Sequence, residues 1–388
     1  MNIVMYTTYY HPHVSGLTLH FKRLAEHFVK QGHKVTLITV RHDKNLPLNE
    51  AYSGVNIVRV PYLFKINKGH FVPHIMCYAW RSIQQADIVH LNLPSLEALF
   101  IALSAKLLGK KLVSTYVCDL QLPSFWGSRI FTTLIDLNHR LILKLSDRIT
   151  SFTLDFARHS RVLHKFVTGV VEISPPLEIP VHFQKVEILT NLKAQGYNPL
   201  IGMATRFASE KGIEFCLEAL PALKSQFPHI KLVLAGDMNV VGEYQYLKSL
   251  NPLLEKYEAD VYCVGRLNQN QMVHFYEMID LLVVASTNST EAFGIIQIEA
   301  MAHGTPVVAT DLPGVTIPIR ITGMGEIARK ADSDDLSEKI IRVLTSKNNY
   351  HRDTHEIRTL FSADNAAQKY MDLYSQTLNA CNFFKNLL

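Results

Sequence analysis

The feature that most constrains this chain is a repeated alternation of short β-branched runs with longer amphipathic stretches. The runs NIVMYT and KVTLITV are typical of strands, and apolar residues between them, over 17–31, recur at helical spacing. The alternation stops over 174–199, where four prolines occur, and restarts with PLIGMAT. Strand–helix–strand repetition predicts parallel sheets, and the interruption predicts two of them.

We therefore predict an α/β fold with two doubly wound, Rossmann-like domains facing a cleft. The predicted domains are 1–185 and 186–362, followed by an amphipathic segment over 363–388. Ligands of such sheets bind beyond the carboxyl ends of the strands. The residues that directly follow each predicted strand are therefore the candidates for function.

Composition limits the class of protein. Apolar residues make up 48% and charged residues 19% of the chain, which is typical of globular proteins. No apolar stretch reaches the roughly 20 residues of a membrane span, and no basic region precedes the first apolar run as in a signal peptide. The five cysteines form no CxxC pair, which argues against a disulfide scaffold or cysteine-bound zinc. We expect a reduced, cytoplasmic location.

Charge is distributed unevenly along the chain. Residues 1–180 hold 20 Lys and Arg against 11 Asp and Glu, whereas the remainder holds 19 against 23. A basic half is typical of a protein with an anionic partner, such as a phosphorylated ligand or a membrane surface. Solvated surface charge explains the same totals equally well. The aromatic residues do not interleave with basic runs, so a nucleic-acid partner is not expected.

Arg206 and Lys211 follow the first predicted strand of the second domain, in GMATRFASEKG. A guanidinium presents a planar fork to phosphate oxygens, and an ammonium presents a compact charge. Together they are candidates to hold a diphosphate, and to stabilise it as a leaving group, without a metal. The alternative is a surface arginine and a helix lysine, for which Glu210 is an adequate partner. These residues alone favour neither interpretation.

A second group of candidates lies in STEAFGIIQIEAMAHG. Glu291 follows the predicted strand DLLVVAS, and Glu299 lies within a largely apolar predicted helix, where an ionised group is costly without a role. A carboxylate there is suited to accept hydrogen bonds from adjacent hydroxyls. The N–H groups at the start of this helix form an anion or hydroxyl site, and its residues are Phe293, Gly294 and Ile295.

The first domain carries weaker signals. Gly16 lies in the loop YYHPHVSGLTLH and is a candidate lid over a phosphate or sugar, although a simple turn explains it as well. Asp119, in STYVCDLQLP, follows another predicted strand and is expected to face the cleft. We predict no metal site: His11, His13 and His20 lack ligand spacing, and Asp332 before a helical run is typical of an N-cap.

Several segments resemble the retaining family 4 glycosyltransferases of GT-B fold, in their bacterial polysaccharide-biosynthesis form. The resemblance is densest over 199–345, in TRFASEKGIEFCLEALPAL, LVLAGD, GRLNQNQMVHFYEMIDLLVVAST and TEAFGIIQIEAMAHGTPVVATDLPG. It extends more loosely over the first domain. It implies transfer of a hexose from a nucleotide-sugar, a GDP- or UDP-hexose, with retention at the anomeric carbon and no metal or further cofactor.

The resemblance also implies roles for individual residues. Arg206 and Lys211 would hold the donor diphosphate, Glu299 the ribose hydroxyls, and Glu291 the donor sugar, with the backbone at 293–295 nearby. Arg266 would contact the base, and Gly16 would close over the phosphates from the acceptor-binding domain. The catalytic candidates are then Glu291, Asp119, Arg206 and Lys211. The final helix, 363–388, would pack back on the first domain.

The sequence departs from the family pattern at Val117, where relatives with a similar stretch carry a histidine. This departure keeps two alternatives open: a catalytically weak nucleotide-sugar-binding subunit that supports a partner transferase, and a GT-B-like nucleotide-sugar epimerase or hydrolase. The leading prediction remains a transferase that acts on a lipid-linked or saccharide acceptor in surface polysaccharide synthesis, covering O-antigen, capsule or exopolysaccharide. The basic first domain predicts peripheral association with the anionic inner face of the cell membrane.

Overall fold

The structure, a computed structural model, describes residues 1–13, 15–66, 69–122, 127–180, 182–238, 240 and 242–385, without the side chains of 66 and of 380 onward. The chain divides into two compact units. Unit 1 comprises Met1–Pro176 and Phe361–Leu388, and unit 2 comprises Leu177–Leu360. In the described part of the chain, no helix combines the length and the apolar character needed to cross a membrane.

The division between the units differs from the predicted boundaries after 185 and 362. Unit 2 already begins at Leu177 and ends at Leu360. The reason lies in the hydrogen bonds of the linker: the N–H of Gln184 donates to the Asn270 carbonyl at 3.2 Å, and the N–H of Val186 donates to His274 Nδ1 at 2.9 Å. These bonds tie the proline-rich linker to unit 2.

Unit 1 is built on a mainly parallel sheet. Eight of the strands formed by its described residues are hydrogen-bonded in the order β10-β9-β8-β7-β1-β2-β4-β3, in which only β3 and β4 are antiparallel, and β5 and β6 form a separate antiparallel pair. The strands are β1 (Asn2–Tyr6), β2 (Lys34–Val40), β3 (Asn49–Tyr52), β4 (Val55–Val60), β5 (Phe64–Ile66), β6 (Gly69–Phe71), β7 (Ile88–Leu93), β8 (Lys111–Tyr116), β9 (Arg148–Ser151) and β10 (Val170–Glu172).

The central strands explain why unit 1 has this architecture. Every residue of β7 is buried, as expected for a parallel strand covered by helices on both faces. The covering helix α1 begins after Ser15, whose hydroxyl accepts the Thr18 N–H at 3.3 Å and so caps the helix. The helices up to the linker are α1 (Gly16–Lys30), α2 (Ile75–Gln84), α3 (Ala98–Leu107), α4 (Ser128–Leu145) and α5 (Leu154–His159).

Unit 2 repeats the pattern with a smaller sheet. Six strands of the described residues pair in parallel, in the order β13-β12-β11-β14-β15-β16. They are β11 (Leu200–Ala204), β12 (Lys231–Ala235), β13 (Val261–Gly265), β14 (Leu281–Val284), β15 (Val307–Thr310) and β16 (Gly325–Ala328). The helices are α6 (Glu187–Ala194), α7 (Ile213–Gln226), α8 (Tyr244–Lys256), α9 (Gln269–Met278), α10 (Ile295–Met301), α11 (Ile317–Thr322), α12 (Ser333–Thr345) and α13 (Thr354–Leu360). The predicted class, α/β with two doubly wound domains, is confirmed.

The final helix, α14 (Ala363–Lys385), belongs to unit 1. Its Tyr370 and Tyr374 are fully buried in the unit 1 core. The Tyr374 hydroxyl is hydrogen-bonded to His90 Nδ1 at 2.6 Å, and the Tyr370 hydroxyl lies 3.0 Å from Thr115 Oγ1. Because His90 and Thr115 lie on β7 and β8, α14 is fixed to the centre of the sheet.

Candidate functional site

The strand order of unit 2 brings two distant loops to one edge of the sheet. Strands β11 and β14 are parallel neighbours, with Ile201 opposite Leu281 and Gly202 opposite Leu282. Their carboxyl ends therefore lie side by side, and the loops that follow them, 205–212 and 285–294, begin at adjacent points. This is the edge at which open parallel sheets bind ligands.

Lys211 and Glu291 meet at this edge. Lys211 Nζ lies 2.7 Å from Glu291 Oε2, and the two side chains are 18% and 20% exposed. The partial burial makes this ion pair stronger than one on an open surface, because water screens it less. Two residues that the sequence nominates separately therefore form one charged unit.

The second oxygen of Glu291 fixes the start of α10. Its Oε1 accepts the N–H of Gly294 at 3.0 Å. Gly294 has φ +75°, a left-handed conformation that favours glycine. A Cβ at this position would lie 2.6 Å from Gln297 Nε2, so the end of that side chain would have to move. Helix α10 begins at Ile295, with Gly294 as its N-cap residue. The Gly294 N–H that we expected to face a ligand is bound to Glu291.

Another glycine holds the two loops together. Gly212, the residue before α7, has φ +63°, and a Cβ there would lie 2.2 Å from the carbonyl oxygen of Ala285 at the end of β14. Close by, the Thr287 N–H donates to the Glu210 carbonyl at 2.9 Å. The loop that carries Lys211 is therefore positioned by backbone contact with the loop that carries Glu291.

Arg206 lies at the beginning of the same loop but is more open. Its side chain is 49% exposed, and Nη2 lies 2.7 Å from Glu210 Oε1. Glu210, the partner that the surface-charge alternative proposed for both cations, therefore pairs with Arg206. Lys211 pairs with Glu291 instead. Arg206, five residues before Lys211, therefore supplies a second and more exposed positive charge to this edge.

Glu299 is held on the second turn of α10. Its Oε2 accepts the Tyr276 hydroxyl at 2.9 Å. The ring of Tyr276 stacks on His303 with centroids 5.7 Å apart, and its carbonyl accepts the Thr305 hydroxyl at 2.6 Å. Tyr276 therefore orients the carboxylate from α9. The sequence nominates Glu299 but not Tyr276, because nothing in the local pattern around Tyr276 distinguishes it from the other residues of its helix.

The remaining predicted residues of unit 2 lie around this centre without joining it. Arg266 directly follows β13, is exposed, and makes no ion pair with the described residues. Phe293 is only 2% exposed and Ile295 is half-buried. The structure thus brings together Lys211, Glu291 and Gly294, and leaves Arg266 two strands away from β11 in the sheet order.

In unit 1, the structure corrects the expected orientation of Asp119. The carboxylate does not face outward: the residue is 1% exposed. Its Oδ1 accepts the hydroxyls of Tyr116 at 3.0 Å and Ser160 at 2.7 Å, and its Oδ2 accepts the Arg161 N–H at 2.9 Å. Burial, with Asp119 as the second cause, raises the pKa of Tyr116 well above its usual value. Asp119 therefore joins the loop after β8 to the segment after α5.

Gly16 and Val117 are the other two residues of unit 1 that the sequence singles out. Gly16 is the exposed first residue of α1, directly after the capping Ser15. Val117 is buried, and its N–H donates to the Leu93 carbonyl at 2.9 Å. Among the described residues, no three His, Cys, Asp or Glu side chains are grouped so that they could hold a metal ion.

A cluster that the sequence does not nominate lies beyond the carboxyl ends of the unit 1 strands. We name it the aromatic–histidine cluster, and its members are Tyr9, His13, His42, Tyr62 and His70. The Tyr9 ring lies 4.5 Å from His13 and 5.3 Å from His70, and Tyr62 lies 4.9 Å from His70. Burial, followed by Lys65 and His42, lowers the pKa of His70 to about 4. One feature of the sequence could have indicated this cluster: four of its residues follow β1, β2 or β4.

Two family models match this chain. The model described as Glycosyltransferase Family 4 matches residues 14–162, and the model described as Glycosyl transferases group 1 matches residues 186–358. The first match lies in unit 1 and the second in unit 2.

Known proteins with similar sequence or structure cover nearly the whole chain. An uncharacterized glycosyltransferase of Methanocaldococcus jannaschii is 26% identical over 96% of this chain and 98% of its own length. Alpha-monoglucosyldiacylglycerol synthase of Streptococcus pneumoniae is 24% identical over 100% of this chain and 88% of its own. The structure of HepE of Anabaena, in complex with UDP, matches with a TM-score of 0.75 at 17% identity, over 97% of this chain and 100% of that chain.

Two Rossmann-like units with parallel sheets define the GT-B class of fold. The chain is a GT-B glycosyltransferase of family 4-like type, with a family 4 model matched in its first unit and a group 1 model in its second.

Proposed function

We propose that the chain transfers a hexose from a GDP- or UDP-hexose to a lipid-linked or saccharide acceptor in surface polysaccharide synthesis. The observation that carries the proposal is the Lys211–Glu291 pair, at 2.7 Å, on the ligand-binding edge of the unit 2 sheet. The resemblance to family 4 implies that the configuration at the anomeric carbon is retained and that no metal is needed. We place the protein at the cytoplasmic face of the membrane as a peripheral component.

The two cations of the loop after β11 suit the leaving group of this reaction. A nucleoside diphosphate accumulates negative charge as the bond to the sugar breaks. Lys211 offers a positioned point charge, because Glu291 and the Gly212 backbone fix its loop, and Arg206 offers a planar fork that is free to reorient. Preorganised charge at the site of developing charge is the strongest means of lowering such a barrier.

The two glutamates suit the neutral parts of the donor. We assign Glu291 to the donor sugar, beside the backbone of 293–295, and Glu299 to the ribose hydroxyls. The Tyr276 hydroxyl donates to Oε2 of Glu299 and so orients this carboxylate on the second turn of α10. Arg266 is assigned to the base, as an exposed residue directly after β13.

The acceptor is assigned to unit 1. Gly16 opens α1 at the same sheet edge as the aromatic–histidine cluster, which presents rings and imidazoles. Binding sites for uncharged organic ligands are lined mainly by such groups. A lipid-bearing acceptor is supported by the name of the Streptococcus pneumoniae relative, alpha-monoglucosyldiacylglycerol synthase, which specifies a glycolipid. In this proposal Asp119 supports the loop after β8 and does not contact the reacting sugar.

The experiment is a thermal-unfolding screen with UDP- and GDP-hexoses, without added metal. A donor at about 100 times its Kd adds roughly 2.7 kcal/mol of stability. We expect one donor to raise Tm in wild type and to lose the effect in Lys211→Ala and Glu299→Ala. The matched control is Lys224→Ala, which removes a similar ion pair, Lys224–Asp260 at 2.8 Å, before β13 at the amino edge of the sheet. Lys224→Ala should respond to the donor as wild type does.

Product analysis then separates the possible activities. Incubation of the stabilising donor with lipid-linked and saccharide acceptors should give a glycosylated product with the anomeric configuration of the donor. Donor binding without any product would identify a binding subunit, and isomerised or free sugar would identify an epimerase or hydrolase. Failure of every donor to raise Tm would contradict the assignment of the unit 2 edge as the donor site.

A further inference from the structure

The helix α4 of unit 1 exposes its most apolar side. Ile130, Leu134, Leu137 and Leu141 are 67%, 56%, 60% and 43% exposed. Their spacing of four, three and four residues places them on one stripe of the helix. The stripe extends about 17 Å along the axis. The opposite side is fixed in unit 1 by buried His139, Ile142 and Leu143.

This arrangement is the reverse of an ordinary surface helix, which turns its apolar side to the core and its polar side to water. The buried side of α4, which includes Ile142 and Leu143, accounts for the attachment of the helix to its own unit, so the outer stripe is not needed for that attachment. The neighbouring α3 adds two more exposed leucines, Leu103 at 37% and Leu107 at 71%. A concentration of large exposed apolar side chains marks an interaction surface.

The charges beside the stripe have one sign. Arg129 and Lys144 are exposed, and the half-buried Arg140 lies on the same flank. The sole acidic residue of α4, Asp136, is 8% exposed and lies 3.2 Å from Arg161 Nε, so it does not offset these charges at the surface. The helix therefore presents an apolar ridge with a basic flank.

We propose that this outer face of α4 docks unit 1 on an anionic phospholipid bilayer. A helix with apolar residues on one side and Lys and Arg beside them lies in the interface, with its side chains in the acyl boundary and its cations among the headgroups. A second copy of this chain fits the face less well, because a two-fold contact places the same basic patch against itself. The proposal deepens the proposed function and rests on it for the lipid-linked acceptor.

The test is co-flotation of the full chain with vesicles of phosphatidylcholine alone or of equal phosphatidylcholine and phosphatidylglycerol. We expect at least tenfold more bound protein on the anionic vesicles, and a severalfold loss when NaCl is raised from 50 to 500 mM. The double variant Leu134→Glu/Leu137→Glu should lose binding at least tenfold. Arg129→Gln/Lys144→Gln should lose the preference for anionic vesicles.

The matched control is Leu63→Glu/Ile321→Glu, which changes two comparably exposed apolar side chains, 63% and 53%, outside α4. It should bind vesicles as wild type does. Equal binding by the α4 variant and the control would overturn the proposal. So would a wild-type dimer without lipid that the α4 variant converts to monomer in sedimentation, because a second copy then covers the face. The donor-induced rise in Tm is measured in parallel: its loss alone contradicts the proposed function, and loss of vesicle binding alone contradicts this inference.

Discussion

Two carboxylates, Asp119 in unit 1 and Glu291 in unit 2, follow parallel strands in the same way but have opposite surroundings. Asp119 is 1% exposed and accepts three hydrogen bonds from its own unit. Glu291 is 20% exposed and has one ammonium and one backbone N–H as partners. A position after a strand therefore nominates a residue, and the number of donors already bound to it decides whether it remains available to a ligand.

The sheet edges of the two units also differ in the chemical groups that they present. In unit 2 the loops bring ionised groups together, and in unit 1 they bring rings and imidazoles together. Burial lowers the pKa of His70 to about 4, so that imidazole is neutral near pH 7. A charged edge suits a diphosphate, and an edge of aromatic rings with a neutral imidazole suits a sugar. The comparison yields three predictions about the separate residues.

The largest effect is expected from Asp119→Ala. This change leaves two hydroxyls and one N–H without their acceptor inside unit 1, and we expect a loss of about 3–5 kcal/mol of unfolding free energy. Glu291→Ala removes the acceptor of the Gly294 N–H and a partly exposed ion pair, and should cost only about 1 kcal/mol. Urea unfolding of both variants measures the difference.

Asp119→Asn provides the control for this pair, since it retains one acceptor oxygen and the same shape. It should recover part of the stability that Asp119→Ala loses. A stable Asp119→Ala protein that had lost only its transferase turnover would contradict the structural role and return Asp119 to the catalytic candidates.

How much of this the sequence predicts depends on the range of the contacts. The strand–helix alternation, the second-domain motifs and the edge at which Lys211 and Glu291 lie follow from local pattern. Their pairing across 80 residues depends on β11 and β14 being neighbours, which no local signal specifies. Two of the three donors to Asp119, Ser160 and Arg161, lie 41 and 42 residues away, so local sequence pattern does not predict its burial.

Sequence pattern also fails to predict elements that are short or that lack a clear apolar side. Strand β16 has four residues, only one of them buried, and helix α2 buries only Ile75, Ala79 and Ile83, so neither has a strong pattern. Helix α4 shows clear periodicity over 131–145, but periodicity does not state which side faces the core. The sheet buries the side with His139 and Ile142, and the stripe from Ile130 to Leu141 is left outside.

A second prediction concerns acid, because unit 1 buries several histidines, among them His20. His20 is 0% exposed, and both its ring nitrogens lack a hydrogen-bond partner in the described part of the chain. Burial, with Arg23 as the second cause, lowers the pKa of His20 from 6.5 to about 3. Below pH 6.5, His20 is therefore protonated in the unfolded state but not in the folded state, and the free energy of unfolding falls as pH falls. By pH 5 the loss is about 2 kcal/mol.

The measurement is urea unfolding at pH 7 and pH 5, followed by tryptophan fluorescence. Both tryptophans, Trp80 and Trp126, belong to the segment of the chain that forms unit 1. His20→Leu should reduce the loss between the two pH values by about 2 kcal/mol. His159→Leu, at an exposed position on α5, should leave it as in wild type. An unchanged acid sensitivity in His20→Leu would contradict the assignment.

The smallest effect on stability is expected from Arg206→Ala. The Arg206–Glu210 pair joins an arginine that is 49% exposed to a residue four positions further along the chain, and such pairs contribute little because water screens them. We expect a change within about 0.5 kcal/mol, below that of Glu291→Ala.

The same weak pairing leaves the guanidinium free to exchange Glu210 for a phosphate. Donor affinity should therefore fall about tenfold, as for loss of one charge-assisted hydrogen bond. Arg206→Lys keeps the charge without the fork and should recover only part of the affinity. A destabilisation above about 1 kcal/mol with unchanged donor affinity would make Arg206 a structural residue and leave Lys211 as the sole cation for the diphosphate in this loop.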